Sequence, residues 1–79
     1  MWVELFRTRH YDGALRELRR LTGRRLAWSD LVETWAMIGG REACSVYQTR
    51  DGRYRVVALV DRRGHSVRVA QEWVAGAPA

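Results

Sequence analysis

The sequence predicts an α+β fold in which two helices pack on one face of a three- to four-stranded antiparallel sheet. Apolar residues recur at roughly helical spacing in two stretches before residue 40. From residue 42 the spacing changes to two, which is typical of half-buried strands. The dipeptide Asp51-Gly52 between two such stretches indicates a hairpin turn.

Length and composition favour a single compact domain, residues 1–79, with a frayed tail at 75–79. The hydrophobic fraction of 47%, with four Trp, is enough for a core without disulfides. Cys44 is the only cysteine, which excludes an intrachain disulfide and favours a reducing compartment. Because charges interrupt the apolar residues near the N-terminus, the chain is expected to be cytoplasmic.

Residues 2–6, WVELF, are predicted to form a short strand from their β-type residues, although they also fit helical spacing. Residues 12–22, DGALRELRRLT, are predicted to form the first helix, with Asp12 as its cap and Gly23 at its C-terminal end. Its apolar face comprises Leu15, Leu18 and Leu21. Its outer face is a basic stripe that comprises Arg16, Arg19 and Arg20, with Arg24 just beyond.

The second helix is predicted to begin at Ser29 or Asp30 and to end at Gly39-Gly40. Asp30 followed by Glu33 resembles a capping box. The predicted apolar face comprises Leu31, Val32, Trp35 and Ile38. Trp35 is therefore expected in the core, together with Leu18 and Leu59.

Residues 42–50 and 53–61 are predicted to pair as a hairpin around a two-residue type I′ turn at Asp51-Gly52. This turn fixes the register. The expected opposed pairs are Arg50 with Arg53, Gln48 with Arg55, Val46 with Val57, and Cys44 with Leu59.

A three-residue turn at 62–64 is predicted to set Val67 beside Leu59 and Val69 beside Val57, in a meander that ends near residue 74. The face that carries these residues, with Val46 and Cys44, is expected to lie against the helices, and Trp73 is expected in the core. The opposite face would then be available to a partner. Its predicted members are Tyr47, Tyr54, Val56, Ala58 and Arg68.

All fourteen basic residues are arginines, and the net charge is +5. Residues 7–25 carry seven Arg against two acidic residues, and residues 41–68 carry seven Arg against three. Arginine pairs bidentately with carboxylates and phosphates. The charge therefore predicts an acidic partner, either a host protein or nucleoprotein surface or nucleic acid itself.

No catalytic, metal-binding or cofactor-binding motif is present, so the sequence predicts a protein without enzymatic activity, metal or cofactor. His10 and His65 are interpreted as solvated loop residues. A metal-free ribonuclease toxin could be built from Arg53, Tyr54, Arg55 and His65. That site is disfavoured because the two turns would lie at opposite ends of the central strand.

Two function classes stay open, a protein-docking inhibitor and a direct nucleic-acid binder. Trp, Tyr and Arg are the residues that most often anchor interfaces, which favours docking. The candidate partner-binding residues are Arg50, Arg53, Tyr54, Arg55, Tyr47, Arg68, Arg16, Arg20 and Arg24. The hairpin tip among them could also be a simple solvated turn.

In overall build, with the arginine-rich stretches QTRDGRYRVV and LRELRRLTGRR, the chain resembles small anti-CRISPR proteins of phages and mobile elements. The resemblance rests on no shared motif, so no residue is assigned from it. It implies docking on a CRISPR effector complex that blocks DNA binding or nuclease recruitment. Many such inhibitors are acidic DNA mimics, and the charge of +5 departs from that pattern.

Overall fold

A computed structural model describes residues 1–72 of the chain and contains one α-helix packed against a five-stranded antiparallel sheet. The strand order is β1-β5-β4-β3-β2. The elements are β1 (Trp2–Thr8), α1 (Tyr11–Thr22), a 3₁₀ turn (Trp28–Asp30), β2 (Val32–Gly39), β3 (Glu42–Gln48), β4 (Tyr54–Asp61) and β5 (Gly64–Glu72). The predicted α+β class is confirmed, but the predicted numbers of helices and strands are wrong. Trp73 and the tail 75–79 lie outside the described residues.

The predicted first strand and first helix are both confirmed. Helix α1 ends where Gly23 takes a positive φ of 67° and its N–H donates to the carbonyl of Arg19 at 2.9 Å. The predicted cap is wrong, because His10 occupies the N-cap and Asp12 lies in the first turn. A negative charge is favourable there beside the unpaired N–H groups. Within residues 1–72, no helix has the length and apolar character needed to cross a membrane.

The predicted second helix is wrong, because residues 32–39 form strand β2. Val32, Thr34 and Trp35 are β-branched or aromatic, and such residues favour a strand over a helix. The two glycines make a hairpin turn, in which Gly39 pairs with Glu42 and Gly40 has a φ of 59°. Ser29 and Asp30 lie in the 3₁₀ turn, where the Asp30 carboxylate accepts a hydrogen bond from the Ala27 N–H at 2.7 Å.

The predicted register of the β3–β4 hairpin is confirmed from Cys44–Leu59 to Gln48–Arg55. The predicted type I′ turn is wrong, because Asp51 lacks the positive φ that such a turn requires. The chain instead makes a four-residue loop, residues 50–53, closed by a hydrogen bond of 3.0 Å from the Thr49 N–H to the Tyr54 carbonyl. The predicted two-residue loop and the observed four-residue loop are both centred on Asp51-Gly52. The observed strand register is therefore the predicted one.

The predicted register between β4 and β5 is wrong by one residue. Asp61 pairs with Gly64, so the loop has two residues, and Val67 pairs with Ala58 instead of Leu59. The Asp61 side chain accepts a hydrogen bond from the Arg63 N–H at 2.8 Å, and this contact stabilises the tight turn.

This shift decides which residues of β4 share a face with Val67 and Val69. A slip of one residue in register places every side chain of β5 on the opposite face relative to its neighbours in β4. The core lies under α1 and comprises Ala14, Leu18, Val56, Val67 and Val69. The side of the sheet away from α1 is called the open face. The predicted core residues Cys44, Val46, Val57 and Leu59 lie on the open face. Tyr47, Tyr54, Val56 and Ala58 lie on the helix side, so the predicted partner face is wrong except at Arg68.

Val67 and Val69 were predicted on the core face and are completely buried. Of Leu18, Trp35 and Leu59, the residues predicted individually as core, only Leu18 is confirmed, with no exposed surface. Leu59 is half-buried on the open face. Trp35 is 51% exposed, because β2 lies at the edge of the sheet and pairs only with β3 among the described residues.

Candidate functional site

The structure separates the predicted binding residues into four places. Arg24, Arg50, Arg53 and Tyr54 line one cleft beside the end of α1. The second place is the open face, which carries Arg55 and Arg68. The third is the exposed outer side of α1, which carries Arg16 and Arg20. The fourth is an aromatic cluster on the helix side, where the ring of Tyr47 lies 4.9 Å from that of Trp28.

On the open face, apolar residues lie towards the β2 edge of the sheet and arginines lie towards the β1 edge. One cross-strand row runs through Trp35, Val46, Val57, Arg68 and Arg7. In this row the apolar part lies on β2, β3 and β4, and the basic part lies on β5 and β1. Arg55 of β4 joins the basic end from the row that contains Gln48 and Ala70. A neighbouring row adds Met37, Cys44, Leu59 and Ser66.

The apolar end of the open face is well exposed to solvent. Trp35 and Met37 are 51% and 45% exposed. On the other side of the same strand, Ile38 is 89% exposed, because α1 packs mainly against β1, β4 and β5. Exposed apolar residues that are grouped in this way are typical of an interaction surface.

The basic end of the open face is built around Arg55 and Arg68. The Arg55 guanidinium lies over the Trp2 ring, with 4.0 Å from Cζ to the ring centroid. Arg68 Nε lies 3.6 Å from Glu4 Oε1. Arg7 donates a hydrogen bond of 2.9 Å to the same oxygen, and this bond lowers the pKa of Glu4.

The Nε atoms of Arg55 and Arg68 are buried and make no hydrogen bond within the described part of the chain. A buried donor without a partner is unfavourable. An acidic group that docks here would find two guanidinium groups, one of them positioned by an aromatic ring.

A second surface, called the basic cleft, lies between the end of α1 and the β3–β4 loop. Its volume is about 380 Å³. Arg24 and Arg25 follow the helix, and Arg50 and Arg53 belong to the loop, so the two basic segments of the sequence meet here. Apolar surface in the lining comes from Leu21, Leu26 and Tyr54.

Short hydrogen bonds hold the loop side of the basic cleft. The Thr49 hydroxyl donates to Asp51 Oδ1 at 2.6 Å and accepts from the Tyr54 N–H at 3.2 Å. The Arg53 N–H donates to the same carboxylate at 3.0 Å. The Thr49 bond first, then the Arg53 N–H and the charges of Arg53 and Arg24, lower the pKa of Asp51.

The opposite side of the basic cleft is held by Arg19, whose Nε donates to the Leu26 carbonyl at 2.7 Å. This bond fixes the chain that follows α1. The two acidic residues in the lining, Asp30 and Asp51, are thus both engaged in hydrogen bonds to local backbone N–H groups. The two backbone segments that carry the arginines of the cleft are thus held by local hydrogen bonds.

His65 lines a different cleft, of about 410 Å³, at the opposite end of β4 and β5. The interpretation of His65 as a solvated loop residue is wrong, because it is a half-buried residue of β5 whose ring lies 5.2 Å from that of Tyr11. Tyr54 and His65 therefore line separate clefts, and the set of residues for a metal-free ribonuclease is not assembled. Among residues 1–72, no group of three or more His, Cys, Asp or Glu side chains is placed to hold a metal ion.

Sequence reasoning missed the exposed residue Trp35, because its spacing also fitted a buried helix face, and it assigned no role to Met37. It missed Arg25 in the cleft, and no sequence signal marks it apart from the neighbouring arginines. No family model matches the chain, and no curated protein or solved structure is significantly similar to it.

Proposed function

We propose that this protein is a non-enzymatic binding protein that docks through its open face on an acidic protein surface of a host nucleoprotein complex and inhibits that complex. The observation that carries the proposal is the uncovered open face, apolar at Trp35 and Met37 and basic at Arg55 and Arg68. The inhibitory role follows from the resemblance to anti-CRISPR proteins. Blocking would be steric, through occupation of the DNA-binding or nuclease-docking surface.

Charge complementarity determines the kind of partner. The arginines Arg7, Arg55 and Arg68 are accompanied on this face by the carboxylates of Glu4 and Glu72, so the basic end keeps an excess of one positive charge. A partner that places Asp or Glu here and an apolar residue against Trp35 and Met37 satisfies both ends. Interfaces with a desolvated aromatic centre and an Arg anchor have this composition.

The test compares two neighbouring residues on opposite sides of β2. Met37→Ser changes the open face, and Ile38→Ser changes the helix side and is the matched control. Each tagged protein is used to capture partners from a nuclease-treated host lysate, and binding of the purified candidate partner is then titrated. We expect Met37→Ser and Arg55→Gln each to weaken binding roughly tenfold or more, as for interface anchors, and Ile38→Ser to bind like the wild type.

Equal binding by all these variants would contradict docking through the open face. Capture that disappears after nuclease treatment would contradict a protein partner.

Direct binding of nucleic acid is the second candidate, and the basic cleft is the observation that favours it. As a docking protein, the chain should bind bare duplex DNA no better than the nonspecific range, about 10⁻⁴ to 10⁻⁶ M at physiological salt. Tight binding of bare duplex DNA that falls steeply with salt, together with no capture of a protein partner, would favour the second candidate.

A further inference from the structure

We propose that the basic cleft binds one nucleotide of a single-stranded nucleic acid, with its phosphates on the arginines and its base against Tyr54. The inference deepens the proposed function, on which it rests, because a nucleoprotein partner offers a strand beside its protein surface. The cleft and the apolar end of the open face share no residue, so the two sites can be tested separately.

The charge of the basic cleft favours an anion. Within residues 1–72, none of the cleft arginines, Arg24, Arg25, Arg50 and Arg53, forms an ion pair. Asp30 and Asp51 lie in the same lining and bond local backbone N–H groups, so the four arginines leave the cleft with an excess of two positive charges. The cleft therefore gathers like charges from two distant segments, and an anion between them would relieve the repulsion.

The size and the surface of the basic cleft suit a single nucleotide. A volume of about 380 Å³ lies in the range of roughly 300–1,000 Å³ that is typical of small-ligand sites. A single nucleotide suits such a cleft better than a duplex, whose bases are already stacked and paired. Leu21 and Leu26 supply apolar surface beside the Tyr54 ring, and any base can stack on an aromatic ring.

The loop side of the basic cleft is held in place before any ligand binds. The Tyr54 side chain packs against the core, and its backbone N–H donates to Thr49. Arg53 is held at the backbone by its bond to Asp51. A ring and a charged segment that are fixed before binding lose little freedom when a ligand arrives. An acidic peptide would use the arginines but would make no specific use of the ring, so the lining favours a nucleotide.

The experiment measures fluorescence anisotropy of labelled single-stranded RNA and DNA of about eight nucleotides, from about 50 to 200 mM salt. The double variant Arg50→Gln, Arg53→Gln removes two cleft charges. The double variant Arg41→Gln, Arg62→Gln is the matched control, because both arginines are exposed in other turns outside the cleft lining.

We expect the cleft variant to bind either strand about tenfold more weakly or worse, and to flatten the salt slope by up to about 1.4. The salt slope of the control variant should differ from the wild-type slope by no more than about 0.7. Equal losses in both variants would overturn the proposal, since binding would then follow net charge alone.

Tyr54 supplies the second measurement. Tyr54→Leu should weaken binding about five- to hundredfold, and Tyr54→Phe should bind like the wild type because it keeps the ring. Circular dichroism and thermal unfolding confirm that each variant is folded. Wild-type affinity of Tyr54→Leu, or tighter binding of duplex or of an oligo-aspartate peptide than of a single strand, would overturn the proposal.

The result for oligonucleotide binding can be separated from the result for the proposed docking function. Met37→Ser should leave oligonucleotide binding unchanged and should weaken only the protein interaction. If the cleft variants keep oligonucleotide affinity while Met37→Ser loses the partner, the cleft inference fails and the docking function stands.

Discussion

Strand β5 and strand β2 belong to the same sheet, yet they differ in almost every physical respect. β5 lies between β1 and β4 under α1, and Val67 and Val69 are completely buried. β2 is an edge strand in which all eight residues are exposed. The comparison teaches that the helix-covered part of the sheet supplies the stability, and that the uncovered part is free to serve as a binding surface.

The largest expected effect is in the helix-covered part. Leu18→Ala should lower the free energy of unfolding by roughly 2–5 kcal/mol, because it leaves a cavity in the core. Leu59→Ala removes the same atoms from the half-buried open face, where a cost of about 1 kcal/mol is expected. Denaturant titration measures both. Equal losses would show that the open face is buried in solution, which would break the comparison.

An intermediate effect is expected at Thr49, where the sheet meets the basic cleft. Thr49→Val keeps the shape but removes the hydroxyl that bonds Asp51 and the Tyr54 N–H. We expect a loss of roughly 1–3 kcal/mol, because buried polar groups lose their partner. Thermal unfolding measures the loss, and Thr49→Ser, which keeps the hydroxyl, is the control. An undiminished stability of Thr49→Val would show that these bonds do not hold the loop.

A smaller effect on stability is expected at Trp35. Trp35→Ala should cost about 1 kcal/mol or less, because half of the side chain is already exposed. The measurement is denaturant unfolding at two protein concentrations. A loss of more than about 3 kcal/mol, or a midpoint that depends on concentration, would show that a second copy covers the edge strand.

The smallest expected effect is the pH dependence at Asp51. The pKa of this carboxyl is below its ordinary value of 3.8 in the folded protein. Its contribution to stability is therefore complete above pH 3.8 and is lost as the pH falls through the lowered pKa. The contribution should be a few tenths of a kcal/mol, since the group is exposed. The wild type and Asp51→Asn should differ at pH 6 and converge below the lowered pKa.

The parts of the fold that local chemistry determines were predictable from the sequence. Gly23 marks the end of α1, and the symmetry about Asp51-Gly52 sets the β3–β4 register whatever the turn type. β2 was not predictable from spacing alone, since Val32, Trp35 and Ile38 recur every three residues and fit a helix. In the strand, the register shifts between Glu33 and Trp35, and Ile38 lies on the opposite face from Trp35. The β-branched and aromatic character of Val32, Trp35 and Ile38 was the available signal, and it favours a strand.

The exposed face could not be predicted because it depends on one residue of register between β4 and β5. The sequence RRG allows loops of two or three residues, and these place Val67 on opposite faces relative to Leu59. The hydrogen bond from the Arg63 N–H to Asp61 selects the shorter loop. For the site, the excess of arginine was visible in the sequence. The meeting of Arg24 and Arg25 with Arg50 and Arg53 required the three-dimensional arrangement.

The edge of β2, which is unpaired within residues 1–72, also has a consequence for the behaviour of the protein in concentrated solution. Its outward backbone groups form a template for strand addition, and Glu33 is its only charged residue. The net charge of +5 keeps molecules apart through mutual repulsion at low ionic strength. Because salt screens that repulsion over about 10 Å at 0.1 M, colloidal stability should fall as salt rises. Light scattering across a salt series would register this, and a lysine or proline placed in β2 should restore clear solutions.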